Sequence, residues 1–308
     1  MRAGRFLLIV LIVTLGVFSA TRRRSKPSPV ALPVWTGADA GVGTPLPARS
    51  PGCARSGAAT GTFTRTVKVA GYDRRYLMVV PTDHGAARPL PVIFHFHGRG
   101  TLLHGEAAQW QTPARFLAGG LPALPEVSRG AIFVAPRGTP FPADRSVGWY
   151  VGCPSDDADF FDAMLAEIGD SHCIDPRAVF VTGFSWGAEM AVALACCRGE
   201  KIRAIAPASG TNLAAIPACP AGKLPALRAT FAEKGDWAYS EDELVKSVTF
   251  FRKAHHCSDQ SDPVEPAPCV SYRGCDQPVV DCRYPGLGHT IAPRFAEATW
   301  KFFAELTP

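Results

Sequence analysis

What this 308-residue chain lacks narrows its identity first. No apolar run reaches the ~20 residues that a membrane-spanning helix needs; the longest, FLLIVLIVTLGVF, runs from Phe6 to Phe18. No C-x-x-C string occurs among the ten cysteines, so the short paired spacing of a zinc site is missing. No cysteine closely follows the apolar run, which argues against a lipid-anchored form. No internal repeat is visible. No acidic residue occurs in residues 1–26, where Arg2, Arg5, Arg22, Arg23, Arg24 and Lys26 gather. Subtracting those six from the formal net charge of +5 leaves −1, so the body of the chain is near neutral and no nucleic-acid partner is expected. The 47% apolar content excludes a wholly disordered or collagen-like chain.

The N-terminus reads as an address. A short basic start, Met1 to Arg5, precedes the apolar run, and Ser19-Ala20 closes it with small residues. That pattern predicts a secretory signal peptide over residues 1–20, with an uncleaved membrane anchor as the alternative. A cleaved leader implies a secreted protein, extracellular or periplasmic, with no stable membrane partner. Ten cysteines in an exported chain then predict disulfides. Four of them, Cys257, Cys269, Cys275 and Cys282, point to a stapled loop, and the neighbours Cys196 and Cys197 are expected to bond to different partners. Residues 21–60 are rich in Pro, Ala, Gly, Ser and Thr without periodicity, which predicts a flexible linker ahead of a catalytic domain over 61–308.

From residue 62 the pattern becomes regular. Thr62 to Val69 and Arg74 to Val80 alternate polar and apolar, as an antiparallel edge pair does. Short apolar runs follow at Pro91 to His97, Ala131 to Ala135, Ala178 to Thr182, Ile202 to Pro207, Leu227 to Ala232 and Val279 to Tyr284. These suit strands buried on both faces of a parallel sheet. Helical stripes lie between them, one carrying Phe160, Phe161, Met164, Leu165 and Ile168, another ending the chain with Phe295, Thr299, Phe302, Phe303 and Leu306. Ser240 and Glu243 form a possible capping box. Strands alternating with helices predict a three-layer α/β domain with a mostly parallel central sheet.

The chemistry centres on Gly183-Phe184-Ser185-Trp186-Gly187. A G-x-S-x-G string alone carries little weight, but this one follows a buried strand and precedes a small-residue helix, which is the strand–turn–helix of a nucleophile elbow. A serine hydroxyl needs a base and an orienting acid, and in such a sheet the chain order is serine, acid, histidine. His289, in the Gly-rich loop after the last strand, is the expected base, ahead of His255 and His256, which read as surface residues at a helix end. Asp236, in Glu233-Lys234-Gly235-Asp236, is the expected acid, ahead of Glu233 and Asp242. Backbone N–H groups of Trp186 and, from the His97-Gly98-Arg99-Gly100 loop, of Arg99 are expected to form the oxyanion hole. Trp149 and Tyr150, with Trp110, could offer an aromatic platform for substrate.

Several ordered motifs carry a resemblance: His97-Gly98, Asp156-Asp157 leading into a helix, Cys173-Ile174-Asp175-Pro176 before the elbow strand, Ala195-Cys196 after it, and Tyr284 to Thr290 before the last helix. Together, over roughly residues 65–306, the chain resembles the secreted esterases grouped as polyhydroxybutyrate depolymerases and feruloyl or acetylxylan esterases. The resemblance implies an α/β-hydrolase fold, a Ser185–Asp236–His289 triad, no cofactor, and hydrolysis of an ester by a monomeric enzyme. The ester would belong to a polyester or to a plant cell-wall polysaccharide. The chain departs from the family pattern in having Trp186-Gly187-Ala188 after the serine, only Gly235 of a His-Gly pair before the acid, and Ile291-Ala292-Pro293 after the base. Arg99 stands where the family often has a cysteine. Two competing readings remain at this stage. One is a metallohydrolase built on His95 and His97, which alternate on one strand face with His104 beyond, and the other a non-catalytic binding module with the same fold.

Overall fold

Two nine-residue stretches of alternating polarity, β1 (Gly61–Val69) and β2 (Tyr72–Val80), pair antiparallel with Gly61 opposite Val80. They form one edge of the fold in a computed structural model that describes residues 46–84, 88–101, 120–141, 143, 145–216, 219 and 224–308. The leader expected over residues 1–20 lies outside the described residues. The chain then lays down β3 (Leu90–Phe96), β4 (Gly100–Thr101), β5 (Ile132–Pro136), β6 (Thr139–Phe141), β7 (Ser146–Gly148), β8 (Ile174–Phe184), β9 (Ala204–Ala208), β10 (Ala226–Ala232), β11 (Ser261–Pro263), β12 (Cys269–Tyr272) and β13 (Val279–Tyr284). Ten of these make one sheet in the order β1-β2-β5-β3-β8-β9-β10-β13-β12-β11, parallel from β5 through β13 and antiparallel at both ends. The remaining β4, β7 and β6 form a small antiparallel sheet.

Why the parallel strands are so apolar is visible in β3, β5, β9 and β10, every residue of which is buried. Helices cover both faces, so no side of these strands meets water. Val92, Phe94 and Phe96 of β3 share one core with Phe160, Phe161, Met164 and Ile168 of the helix Asp156–Ser171 and Met190 of the helix Trp186–Cys197. Ile93, one residue out of phase, belongs to a second core with Phe133 and with Phe295, Phe302 and Phe303 of the last helix, Phe295–Glu305. The period of two thus sorts β3 into two layers, giving the three-layer architecture. The capping box at Ser240 forms, with Ser240 Oγ accepting from Glu243 N at 3.3 Å, and it starts the helix Glu241–Ala254.

Buried charge ties the layers together. Asp157, in the first turn of its helix, accepts from the Arg74 guanidinium of β2 at 2.6 Å and from the Tyr150 backbone N–H at 2.6 Å. Loss of water around this carboxyl pushes its pKa up, and the Arg74 cation opposes that shift.

All ten cysteines are paired: Cys53–Cys173, Cys153–Cys197, Cys196–Cys219, Cys257–Cys275 and Cys269–Cys282. The neighbours Cys196 and Cys197 do reach different partners, and the last two bridges staple the β11–β12 region. The first bridge also alters one boundary. Ser50, inside the linker expected for 21–60, is buried, donates to the His172 carbonyl at 2.8 Å and accepts from Ile174 N at 3.0 Å. The described part of that linker therefore joins the body about ten residues before β1, held by a covalent bond and a buried hydroxyl that composition alone does not reveal.

His95 of β3 is buried against Phe133, its ring nitrogens without a hydrogen-bond partner among the described residues. Burial drives its pKa down to about 3, with nearby His97 adding to the effect. An unfolded histidine takes up a proton near pH 6.5 and the folded one refuses it, so stability falls as pH drops through that window at about 1.4 kcal/mol per unit. Urea unfolding of the wild type and His95→Leu at pH 7 and pH 4.5 tests this. The loss of stability between the two pH values is expected to be about 2 kcal/mol smaller in the variant, and an equal loss in both proteins would refute the assignment.

Candidate active site

β8 ends at Phe184, and the next residue turns the chain into the helix Trp186–Cys197 with φ 55° and ψ −122° at Ser185. A β-carbon disfavours that backbone, so something must hold it there. Three glycines let neighbouring backbones close in. A β-carbon on Gly183 would lie 2.1 Å from the Gly187 oxygen, one on Gly187 1.9 Å from the Phe96 oxygen, and one on Gly210 2.5 Å from the Ser185 oxygen. Ser185 N–H donates to Ala208 O of β9 at 3.0 Å, and its carbonyl accepts from Ala188 N at 2.8 Å and Glu189 N at 3.1 Å. The serine side chain is thereby projected beyond the carboxyl end of β8.

Two further loops meet it at the same end of the sheet. His289, after β13, lies with Nε2 2.9 Å from Ser185 Oγ and Nδ1 3.0 Å from Asp236 Oδ1. Asp236, after β10, also accepts from the backbone N–H groups of Ala238 at 2.8 Å and Tyr239 at 3.2 Å, both on Oδ1. A carboxylate can only accept, so Nδ1 carries the proton of the imidazole and Nε2 is bare to accept from the serine O–H. The His289 and Asp236 side chains are only 7% and 2% exposed. Aromatic rings of Phe184, Trp237 and Tyr239 surround the imidazole at 4.9, 4.8 and 5.8 Å. The Ser209 hydroxyl, in the loop after β9, donates to the Thr290 carbonyl at 3.0 Å and steadies the histidine loop.

The rival residues go elsewhere. His256 is exposed and paired with Asp276, and Asp242 is exposed and paired with Lys246. His255 is not the surface residue expected: it is buried, with Nε2 3.0 Å from the Pro225 carbonyl, because the helix end folds onto the strand-β10 approach. Glu233 is half-buried at the end of β10 and has no bond to His289.

The loop after β3 passes against the elbow. A β-carbon on Gly98 would stand 3.2 Å from the Ser185 β-carbon. His97 clamps this loop: its Nε2 accepts from Gly138 N at 3.0 Å, so its Nδ1 holds the proton and donates to Gly98 O at 2.6 Å. Burial lowers the His97 pKa to about 4, and the hydrogen bond to Gly98 opposes that shift. Trp149 is the correction here. Expected as part of a substrate platform, it is 1% exposed, and its indole N–H donates to the His97 carbonyl at 2.7 Å. A buried indole spends its polar edge on the backbone rather than on ligand. Tyr150 is exposed and packs on Phe141, which in turn packs on Trp186. Trp110 lies outside the described residues. Arg99 follows Gly98 with an exposed side chain, and Trp186 opens the elbow helix. Among the described residues no group of three or more His, Cys, Asp or Glu side chains is placed to hold a metal ion; both His97 nitrogens are committed to backbone, His95 is buried against Phe133, and His104 lies outside the described residues.

Local patterning missed Trp237, Tyr239, Glu189 and Ser209. Tyr239 donates its hydroxyl to Glu189, one helical turn after Ser185, in a short contact. Burial raises the pKa of both groups. A signal existed: Glu189 is four residues from the serine on a predicted helix, and Trp237 directly follows the acid.

The chain is similar to known esterases and hydrolases. No family model matches the chain. It is 31% identical over 284 residues to feruloyl esterase D of Neurospora crassa, covering 83% of this chain and 90% of that one. It is 30% identical over 275 residues to feruloyl esterase C of Emericella nidulans, covering 83% and 91%. Among solved structures, an acetyl xylan esterase from Aspergillus awamori superposes with a TM-score of 0.57 at 14% identity, over 79% of this chain and 99% of that one. An S-formylglutathione hydrolase from Agrobacterium tumefaciens gives 0.53 at 14% identity, over 82% and 99%. These neighbours share the α/β-hydrolase fold.

The packing at the elbow predicts a sharp contrast between two glycines. Gly187→Ala drives a β-carbon into the Phe96 backbone and is expected to cost about 2–3 kcal/mol. Gly130→Ala meets only the Trp300 ring at 3.6 Å and should stay within about 0.5 kcal/mol of the parent. Thermal unfolding of the two variants checks this, and similar melting temperatures would contradict it.

Proposed function

The chain belongs to the feruloyl esterase family and is a carboxylic ester hydrolase, and on that premise we propose that it cleaves feruloyl esters of plant cell-wall polysaccharide through a serine acyl-enzyme. The observation that carries the mechanism is the continuous hydrogen-bonded line from Ser185 Oγ through His289 to Asp236, with steps of 2.9 and 3.0 Å. Ser185 Oγ attacks the ester carbonyl carbon while His289 Nε2 takes its proton. Asp236 holds the imidazole in its tautomer and offsets the positive charge that develops. The carbonyl oxygen, now negative, meets the backbone N–H of Trp186 and of Arg99, two donors worth about 2.7–4 kcal/mol each when well aimed. The C–O bond to the alcohol breaks, His289 returns the proton to the leaving oxygen, and ferulate stays bound as an ester of Ser185. Water, deprotonated by His289, then releases ferulic acid and restores the serine.

The neutral His97 supports this role. Its two nitrogens are both committed to backbone, and the low pKa keeps it uncharged, so the donor loop it clamps holds one shape through the working range. Ferulate is favoured over a polyester because the two curated relatives described above carry that activity in their names. The acetyl xylan esterase neighbour, at 14% identity, speaks only to the fold. Five disulfides fit a protein exported with loss of the leader over residues 1–20 and working outside the cell.

Ser185→Ala is expected to lower kcat on methyl ferulate by at least about 10³-fold with little change in melting temperature. A variant as active as the parent would remove the serine mechanism. Parallel assays on methyl ferulate, hydroxybutyrate oligomers and acetylated xylan should rank the ferulate ester first.

A further inference from the structure

Trp237 is 83% exposed, the most exposed of the large apolar side chains among the described residues, yet it touches the site's base. Its ring meets the His289 imidazole edge-on, with centroids 4.8 Å apart and planes at 66°. The backbone on either side is fixed, since Asp236 bonds to His289 and accepts from Ala238 N. An indole held against the imidazole and otherwise open to water is a pre-organised platform, because little further ordering is needed when a flat apolar surface settles on it.

Which half of the substrate would meet it follows from where protons go. His289 Nε2 must reach the leaving oxygen, so whatever that oxygen carries emerges beside the imidazole. Trp237 stands there. The other aromatic group, Trp186, Phe141 and Tyr150, is attached to the opposite flank of β8. Trp186 lies over Gly148 of β7, and β7 pairs with β4 of the loop after β3. In the sheet order β3 lies on one side of β8, and β10 and β13, which deliver Asp236, Trp237 and His289, lie on the other. The two aromatic sets therefore face the two halves of an ester from opposite flanks of Ser185.

We propose that Trp237 is the platform of the alcohol-side subsite, stacking the sugar ring whose hydroxyl carries the ester, so that the enzyme prefers carbohydrate esters over simple alkyl esters of the same acid. The inference rests on the ester-hydrolase reading above. A sugar ring presents a face of C–H groups to the indole and turns its hydroxyls to water, which suits an indole as exposed as this one.

The test compares two esters that share an acyl group: methyl ferulate and a feruloylated arabinoxylo-oligosaccharide. In Trp237→Ala the ratio of kcat/KM, oligosaccharide over methyl ester, should fall about tenfold, with most of the change in KM. Trp237→Phe should recover part of it. The unesterified oligosaccharide, as a competitive inhibitor of methyl ferulate hydrolysis, should bind the alanine variant about tenfold more weakly. An unchanged ratio with equal losses on both esters would place Trp237 with the base or the acyl group and overturn the proposal. A parent enzyme that turns over neither ester would overturn the feruloyl-ester reading above, and the two failures are told apart by methyl ferulate alone.

Discussion

A single backbone constraint underlies the site: Ser185 occupies a sparsely allowed conformation with φ at 55° and ψ at −122°. An L-residue does not stay there by preference, so the surrounding chains must supply the energy to keep it. Here the supply is steric as well as hydrogen-bonded. β3, β8 and the loop after β9 press on the turn at distances that only glycine permits, at Gly183, Gly187 and Gly210. The fully buried strands matter for the same reason. Their apolar packing fixes the positions of the backbones that do the pressing, and the turn transmits that rigidity to one hydroxyl.

Around this turn the protein separates tasks between neutral and charged groups. His97 and the buried Trp149 work on backbone atoms of the loop that passes the serine, shaping it without carrying charge. Ser185, His289 and Asp236 form a hydrogen-bonded line at the carboxyl end of the sheet, with the ionisable pair at its inner end. Asp157 does comparable structural work at greater distance, holding Arg74 and Tyr150 where β2, the first long helix and the small sheet converge.

Much of this was legible in the residue order because the determinants are local. A buried strand, a glycine-flanked serine and a small-residue helix lie within about twenty consecutive positions, and the acid and base fall in loops whose order along the chain follows from how parallel strands are wound. What stayed hidden was set by contacts distant in sequence. Trp149 looked like a platform because nothing beside it names His97, 52 residues away, as the partner of its N–H. Trp237 carries no mark in the sequence, since loops have no period to show which face they present. The segment around Ser50 resembled a tether because Cys53 bonds to a cysteine 120 residues on. His255 looked exposed because the carbonyl that receives it belongs to Pro225.

The paired cysteines at the end of the elbow helix carry a consequence of their own. Cys196 and Cys197 are adjacent, and their partners Cys219 and Cys153 both lie near that helix end. Exchanging the two partners would leave the number of bonds unchanged while re-aiming the helix that begins at the serine. A thiol titration would read zero for either isomer. Preparations of this enzyme are therefore to be judged by active-site titration rather than by degree of oxidation, since a fully oxidised sample can still be a mixture of two covalent molecules.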